Sequence, residues 1–125
     1  MTAAILFLAI TGNAVFIDDA LQQQVIENRR QLGLDISQNV VGYVALKDCD
    51  RLGDYVGITW PNGVQRSPYQ VIDCAQAVHL PYLDSIGFAV EVAESEWRQY
   101  ADVGKSAQVI VWDWQDMRRL DRMRR

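Results

Sequence analysis

The sequence has few residues of the kinds that build metal centres and phosphate sites. It contains one histidine, His79, and two cysteines, Cys49 and Cys74, whose spacing matches no zinc-binding pattern. It has no glycine-rich phosphate loop and no dinucleotide-binding fingerprint. A cysteine–histidine nucleophile pair is not expected either, because Cys74 and His79 lie five residues apart in a predicted loop. We therefore predict no metal and no cofactor.

Basic residues are scarce outside the C-terminal end. The 125 residues include 12 Lys and Arg against 16 Asp and Glu, for a net charge of −4. Five of the arginines fall in the last ten residues, so the rest of the chain is more acidic than this total suggests. An acidic body argues against nucleic acid as a partner, because phosphate binding needs a basic surface. The Arg-rich tail, residues 115–125, has helical spacing and is either a solvated helix end or a contact for a membrane or an acidic partner.

Charged residues are absent from residues 1–17, which include the apolar run Ala3–Ile10. Gly12-Asn13-Ala14 provides small residues suited to a cleavage site, so a signal peptide or short anchor is one interpretation, and it could contact a membrane. No basic residue precedes the apolar run, however, and the segment is short for a membrane-spanning helix. The alternative is a segment buried in the fold or in a partner.

The cysteine count bears on location. An even number of cysteines in a small domain beside an apolar N-terminal segment predicts a Cys49–Cys74 disulfide and an extracytoplasmic protein. In a cytosolic protein the same pair would be two buried thiols.

A helix and linker are predicted over residues 18–39. Asp18 and Asp19 suit a helix N-terminus and Gly33 suits its C-terminal end. The predicted apolar stripe consists of Leu21, Val25, Ile26 and Leu32. The polar residues, Gln22, Arg29 and Arg30 among them, are assigned largely to the opposite, solvent-facing side.

Strand patterns dominate residues 40–114. Short β-branched and alternating runs follow one another, and Asn62-Gly63 between two of them is typical of a hairpin turn. One short helix is predicted over Glu94–Tyr100. The predicted buried positions are Val56, Ile58, Ile72, Val90, Val109 and Val111.

A faint internal repeat links two parts of this region. Gly42-Tyr43-Val44-Ala45 is similar to Gly87-Phe88-Ala89-Val90, and each is followed by a glycine and alternating apolar residues. Two copies of one strand unit favour a barrel with internal two-fold symmetry, although short strands also resemble one another by chance.

Residues 48–112 resemble the double-psi β-barrel of RlpA-like proteins, expansins and barwin-type endoglucanases. The segments that carry the resemblance are Leu52–Ile58 with Asn62-Gly63, then Val71-Ile72-Asp73-Cys74, then Ala89–Ala93 leading to Trp97. The resemblance implies a mainly β, six-stranded double-psi barrel, here with an N-terminal helix and a short C-terminal helix. Glu91 stands where many members have aspartate, and the family's usual first strand is not evident.

The candidate catalytic residues are the carboxylates Asp73, Glu91 and Asp48. Glycan cleavage needs one carboxylic acid to protonate the leaving oxygen, and hydrolysis adds a second carboxylate. A charged residue among apolar neighbours, such as Asp73, is costly unless it is paired, and such sites often serve acid chemistry. Asp73 could instead accept backbone hydrogen bonds in a tight loop, and Glu91 could be an ordinary strand residue.

Aromatic rings can line sugar grooves, and Trp60 and Tyr69, with His79, are the candidate ligand-binding residues. Most aromatic side chains in a barrel belong to its core or strand faces, which is the alternative for these two.

Three functions remain open. The first is a secreted or surface-anchored barrel that binds a cell-envelope glycan or a protein partner without fast turnover. The second is a weak lytic transglycosylase or glycosidase acting on peptidoglycan or β-glucan, and the third is a structural subunit of a larger assembly. The sequence does not indicate the oligomeric state.

Overall fold

The chain forms a closed six-stranded β-barrel with helices on its outside, as seen in a computed structural model that describes residues 9–101 and 107–114. The strands are β1 Ala9–Ile17, β2 Gly42–Leu46, β3 Tyr55–Thr59, β4 Gln65–Cys74, β5 Phe88–Ala93 and β6 Gln108–Asp113. The α-helices among the described residues are α1 Asp19–Gln31, α2 Leu80–Ser85 and α3 Glu94–Tyr100, and 3-10 helices span Cys49–Arg51 and Ala77–His79. The prediction of a mainly β six-stranded barrel with an N-terminal helix is confirmed.

The strands follow the order β1-β5-β2-β4-β3-β6 around the barrel. The pairs β1–β5 and β2–β4 are parallel, and the other four pairs are antiparallel. The helix-containing connections do not join these parallel pairs directly, because each one passes over an intervening strand. Here α1 lies in the connection from β1 to β2, and α2 lies in the connection from β4 to β5.

The pairing pattern has the internal two-fold relation that the sequence repeat suggests. Exchanging β1 with β4, β2 with β5 and β3 with β6 converts the list of strand pairs into itself, with every direction preserved. Each half of the chain is therefore strand, helix, strand, short helix, strand. The repeated segments that begin at Gly42 and Gly87 fall on β2 and β5. These are the middle strands of the two halves, and the internal two-fold exchanges them with each other.

The barrel interior is filled by aliphatic residues with a few aromatic and small ones. All six residues predicted to be buried are at most 2% exposed. Five of them belong to the interior cluster, whereas Ile72 is buried outside that cluster, near Ile17 at the end of β1 and Val25 of α1. The predicted Asn-Gly turn joins β3 to β4, where Gly63 has a φ of 88° that favours glycine.

The barrel includes residues that the sequence-based boundaries place outside it. The sequence leaves residues 1–17 either as a signal peptide or anchor or as a segment buried in the fold or a partner, and places the barrel at residues 40–114, but Ala9–Ile17 is the strand β1. This strand pairs with both β5 and β6 and so closes the barrel. At the start of the strand one face is turned inward, because Ile10 packs against the core while its neighbours Ala9 and Thr11 are exposed. Residues 1–8 and the predicted helix and tail from Gln115 lie outside the described residues.

Helix α1 begins and ends as predicted but presents a different face to the barrel. The Asp18 carboxylate accepts hydrogen bonds from the amides of Ala20 and Leu21, at 2.9 and 3.2 Å. Leu21 and Leu32, predicted to belong to the apolar stripe, are 51% and 79% exposed. The packed face instead consists of Gln22, Val25, Ile26 and Arg29, which have the i, i+3, i+4, i+7 spacing of one helix face. The assignment of Gln22 and Arg29 to the solvent side is therefore wrong.

Gln22 can be buried between α1 and the barrel because its side chain is hydrogen-bonded. Its side-chain amide donates a hydrogen bond to the Tyr43 carbonyl oxygen at 2.9 Å. A buried amide costs little free energy when it is hydrogen-bonded. This bond ties α1 to β2 and fixes how the helix lies across the barrel.

Candidate functional site

An open groove of about 800 Å³ lies on the outside of the barrel, beside α2. Its floor is formed by residues of β2, β4 and β5. It is also lined by Arg29 of α1 and by the segment that carries His79 and Tyr82. Asp73 and Glu91, two of the three candidate catalytic carboxylates, both line this groove.

A β-bulge turns Asp73 into the groove. Val44 of β2 pairs with Val71, but the next residue, Ala45, pairs with Asp73, so Ile72 is the extra residue of β4. Side chains alternate across a strand, and without the bulge Asp73 would point into the barrel like Val71. The bulge therefore resolves the conflict between an apolar strand and a charged residue within it.

Asp73 is held by two donors. Its Oδ1 atom accepts a hydrogen bond from Arg29 Nη2 at 2.6 Å and another from the amide of Cys74 at 2.9 Å. The Arg29 and Asp73 side chains are 27% and 32% exposed, so this is a partly buried ion pair. The expected alternative, in which Asp73 accepts a backbone hydrogen bond, is thus also realised.

Glu91 occupies the same outer row of the barrel as Asp73. Ala45 pairs with Asp73 on one side and with Glu91 on the other, so the two backbones are two strand spacings apart, about 10 Å. The Glu91 side chain is half-buried, and among the described residues it has no hydrogen-bond or ion-pair partner. Burial, and then the nearby charge of Asp73, raise the pKa of Glu91 above its ordinary value.

The predicted disulfide is present and forms part of the groove. Cys49 and Cys74 are bonded to each other, and both line it. The bond joins the 3-10 helix that follows β2 to the last residue of β4. It therefore links the two strand ends that carry Ala45 and Asp73.

Of two further predicted site residues, one lies at the groove and the other does not. His79 is exposed and lines the groove. Asp48 is not among the residues that line it, and its carboxylate caps the 3-10 helix by accepting a hydrogen bond from the Asp50 amide at 2.9 Å. The structure thus assigns Asp48 a local structural contact and brings only Asp73 and Glu91 together.

Trp60 and Tyr69, predicted as ligand-binding residues, belong to the core. They are 1% and 0% exposed, so neither offers a ring face to a ligand in the groove. Their polar atoms are satisfied inside the protein, because Trp60 Nε1 donates to the Tyr69 hydroxyl at 3.3 Å and Tyr69 is hydrogen-bonded to Glu96. Burial raises the pKa of Tyr69. Aromatic residues with polar atoms can be buried when they find such partners.

Two groove residues were not identified from the sequence. Arg29 was placed on the solvent side of α1, although its spacing of seven from Gln22 is compatible with one helix face. Tyr82, which is 66% exposed, lies at the groove in place of the predicted aromatic residues. A signal for Tyr82 exists in the sequence, since Pro81 before it favours the first turn of a helix and not a strand.

Comparison of the chain with known protein families, curated proteins and solved structures gives no match. Within residues 9–101 and 107–114, no cluster of three or more metal-binding side chains occurs. None of the helices in that part of the chain is long and apolar enough to cross a membrane.

Proposed function

We propose that this protein is a double-psi β-barrel of the RlpA-like kind, which acts outside the cytoplasm and binds a cell-envelope glycan in the groove that contains Asp73 and Glu91. The observation that carries the proposal is the presence of both carboxylates in one open groove beside an exposed aromatic ring.

The fold supports the RlpA-like part of this proposal. The barrel contains two parallel strand pairs related by an internal two-fold, and each half of the chain has a helix-containing connection that passes over one intervening strand. The segments that carry the sequence resemblance fall on the β3–β4 hairpin, on β4 and on β5. These are the strands that place Asp73 and Glu91.

The chemistry of the groove favours a neutral glycan over an anionic ligand. Sugars need hydrogen-bonding groups beside apolar surface, and the groove provides carboxylates, His79 and the Tyr82 ring. Arg29, the basic residue that lines it, is already paired with Asp73. The chain as a whole is acidic, which disfavours phosphate-rich polymers.

The disulfide supports a location outside the cytoplasm. Disulfides persist in oxidising compartments and are rare in the reducing cytosol. The bond lies at the groove, so the same compartment that preserves it would also contain the proposed ligand.

Glycan binding is tested by co-sedimentation with insoluble peptidoglycan and by calorimetry with soluble β-glucan fragments. We expect binding by the wild-type protein and weaker binding by Tyr82→Ala. Phe16→Ala is a matched control, because Phe16 is an exposed aromatic residue that does not line the groove. Failure of both glycans to bind would contradict the proposal and favour the structural-subunit alternative.

A second candidate function, slow cleavage of the bound glycan, is favoured by the state of Glu91. A carboxyl group that lacks a hydrogen-bond partner and has a raised pKa retains its proton at higher pH, as a general acid must. Glu91 would donate this proton to the glycosidic oxygen as the bond from that oxygen to the sugar carbon breaks. The resulting carboxylate would then take the proton of a water molecule or a hydroxyl group of the sugar as the oxygen of that group forms the new bond to the sugar carbon.

Cleavage is tested by mass spectrometry of glycan strands incubated with the protein. We expect products from the wild-type protein that are absent with Glu91→Gln, while glycan binding persists. Glu27→Gln, which changes an exposed glutamate of α1, is the control. Binding without products in any variant would leave the barrel as a binding protein only.

A further inference from the structure

Arg29 reaches the groove because the helix face that α1 packs against the barrel carries polar as well as apolar residues. Gln22, Ile26 and Arg29 recur at the spacing of one helix face, and Gln22 is anchored to β2 by its hydrogen bond to the Tyr43 carbonyl. This anchor lies two turns before Arg29 along the helix. The orientation of α1 therefore delivers the Arg29 guanidinium to the edge of the groove.

The guanidinium and a backbone amide converge on one oxygen of Asp73. Arg29 Nη2 and the Cys74 amide both donate to Asp73 Oδ1, at 2.6 and 2.9 Å. Two donors in different directions restrict the side chain to one orientation, and a charged donor strengthens the contact. Cys74 is itself fixed by the disulfide to Cys49.

We propose that Arg29 is a positioning residue of the groove: from α1 it fixes the Asp73 carboxylate and compensates its charge. Asp73 then stays in its ion pair with Arg29, and Glu91 is the group that exchanges a proton. This inference rests on the proposed function for its biological meaning, but not for its test. It assigns part of the site to a helix that lies outside the region of family resemblance, residues 48–112.

The surroundings of Glu91 make the proposal specific. The charged or titratable side chains that line the groove with Glu91 are Asp73 of β4, Arg29 of α1, and His79 and Tyr82. Arg29 forms its ion pair with Asp73, and no hydrogen bond or ion pair joins it to Glu91. Any influence of Arg29 on Glu91 beyond the direct field of its charge should therefore pass through Asp73.

The test is a double-mutant cycle read by carbon NMR of the Glu91 side-chain carboxyl during a pH titration, without any glycan. Arg29→Gln leaves the Asp73 charge uncompensated, so we expect the proton affinity of Glu91 to rise roughly three- to tenfold. Asp73→Asn should lower it. In the Asp73→Asn background, where Arg29 acts on Glu91 only through its own charge, Arg29→Gln should raise it less than in the wild type.

Arg29→Lys should restore most of the wild-type titration, because it keeps the positive charge. The control is Arg30→Gln, which removes the neighbouring arginine of α1, paired with Glu27 outside the groove. Each variant's two-dimensional NMR spectrum reports whether the barrel remains folded. No change, a change of opposite sign, or an equal change in both Asp73 backgrounds would overturn the proposal. Because no ligand is present, these outcomes are independent of whether the groove binds glycan.

Discussion

Asp73 and Glu91 pair with the same residue, Ala45, from the two sides of β2. One pairing is parallel and the other antiparallel, so the two carboxylates come from strands that run in opposite directions. Ala45 is the small side chain between them, and it forms the floor of the groove. The space for a ligand between the carboxylates therefore depends on this alanine.

Enlarging the groove floor should block the site without unfolding the barrel. We expect Ala45→Leu to weaken glycan binding, because the added atoms occupy the space between Asp73 and Glu91. Ala45 is only partly buried and faces outward, so the core is not overpacked. Calorimetry with soluble glycan measures the effect, and Ala20→Leu on the exposed side of α1 is the control. Equal affinities for both variants would mean that the ligand does not enter this groove.

Glu91 should make the stability of the protein depend on pH. Its pKa is raised in the folded state, so the stability contributed by its protonated form is complete below its ordinary pKa and is lost as pH rises through the raised value. Glu91→Gln lacks this loss. We therefore expect the variant to gain stability relative to the wild type as pH increases from about 4 toward neutrality. Urea unfolding at several pH values measures the difference, and parallel stability curves would contradict the prediction.

Removing the disulfide should destabilise the fold substantially. Cys49 and Cys74 are separated by 25 residues, and closing a loop of this length contributes roughly 3 kcal/mol in the chain-entropy model. We expect the double variant Cys49→Ser with Cys74→Ser to lose about that free energy of unfolding. Intact-mass measurement after alkylation, with and without reduction, checks the bond in the natural protein. Two free thiols would be the contrary result.

Truncating an interior side chain should cost much more than truncating an outward one. Ile58 is completely buried, whereas Ile110 on the adjacent strand is 44% exposed. We expect Ile58→Ala to lower the free energy of unfolding by about 2–5 kcal/mol. The matched variant Ile110→Ala should change it far less, by about 0.5 kcal/mol. Denaturant midpoints measure both, and similar values would indicate an incorrect strand orientation.

Much of the barrel could be predicted because its signals are local. Asn62-Gly63 specifies a turn through backbone geometry, and the alternation around Val109 and Val111 specifies which face is buried. The internal repeat also predicted the two-fold symmetry of the barrel, because its two copies occupy the equivalent strands β2 and β5. The disulfide was predictable from the even number of cysteines in a small domain beside an apolar N-terminal segment.

The features that were missed depend on contacts between distant segments. The uncharged segment of residues 1–17 has two interpretations until β1 is seen to pair with β5 and β6. Trp60 and Tyr69 have polar atoms that suit a binding site, and their burial is explained by their mutual hydrogen bond and by the bond from Tyr69 to Glu96. Arg29 could not be assigned to the groove from α1 alone, because its partner Asp73 is 44 residues away.

The position of β1 has a consequence for the time at which this barrel can form in the cell. β1 hydrogen-bonds only with β5 and β6 among the strands, and both are synthesised after the whole first half of the chain. At the usual speed of translation, β1 waits on the order of seconds on the ribosome before its partners emerge. During that interval both of its edges are open and can pair with other chains. A molecular chaperone that shields the single extended segment β1 would thus protect the chain until β6 completes the barrel.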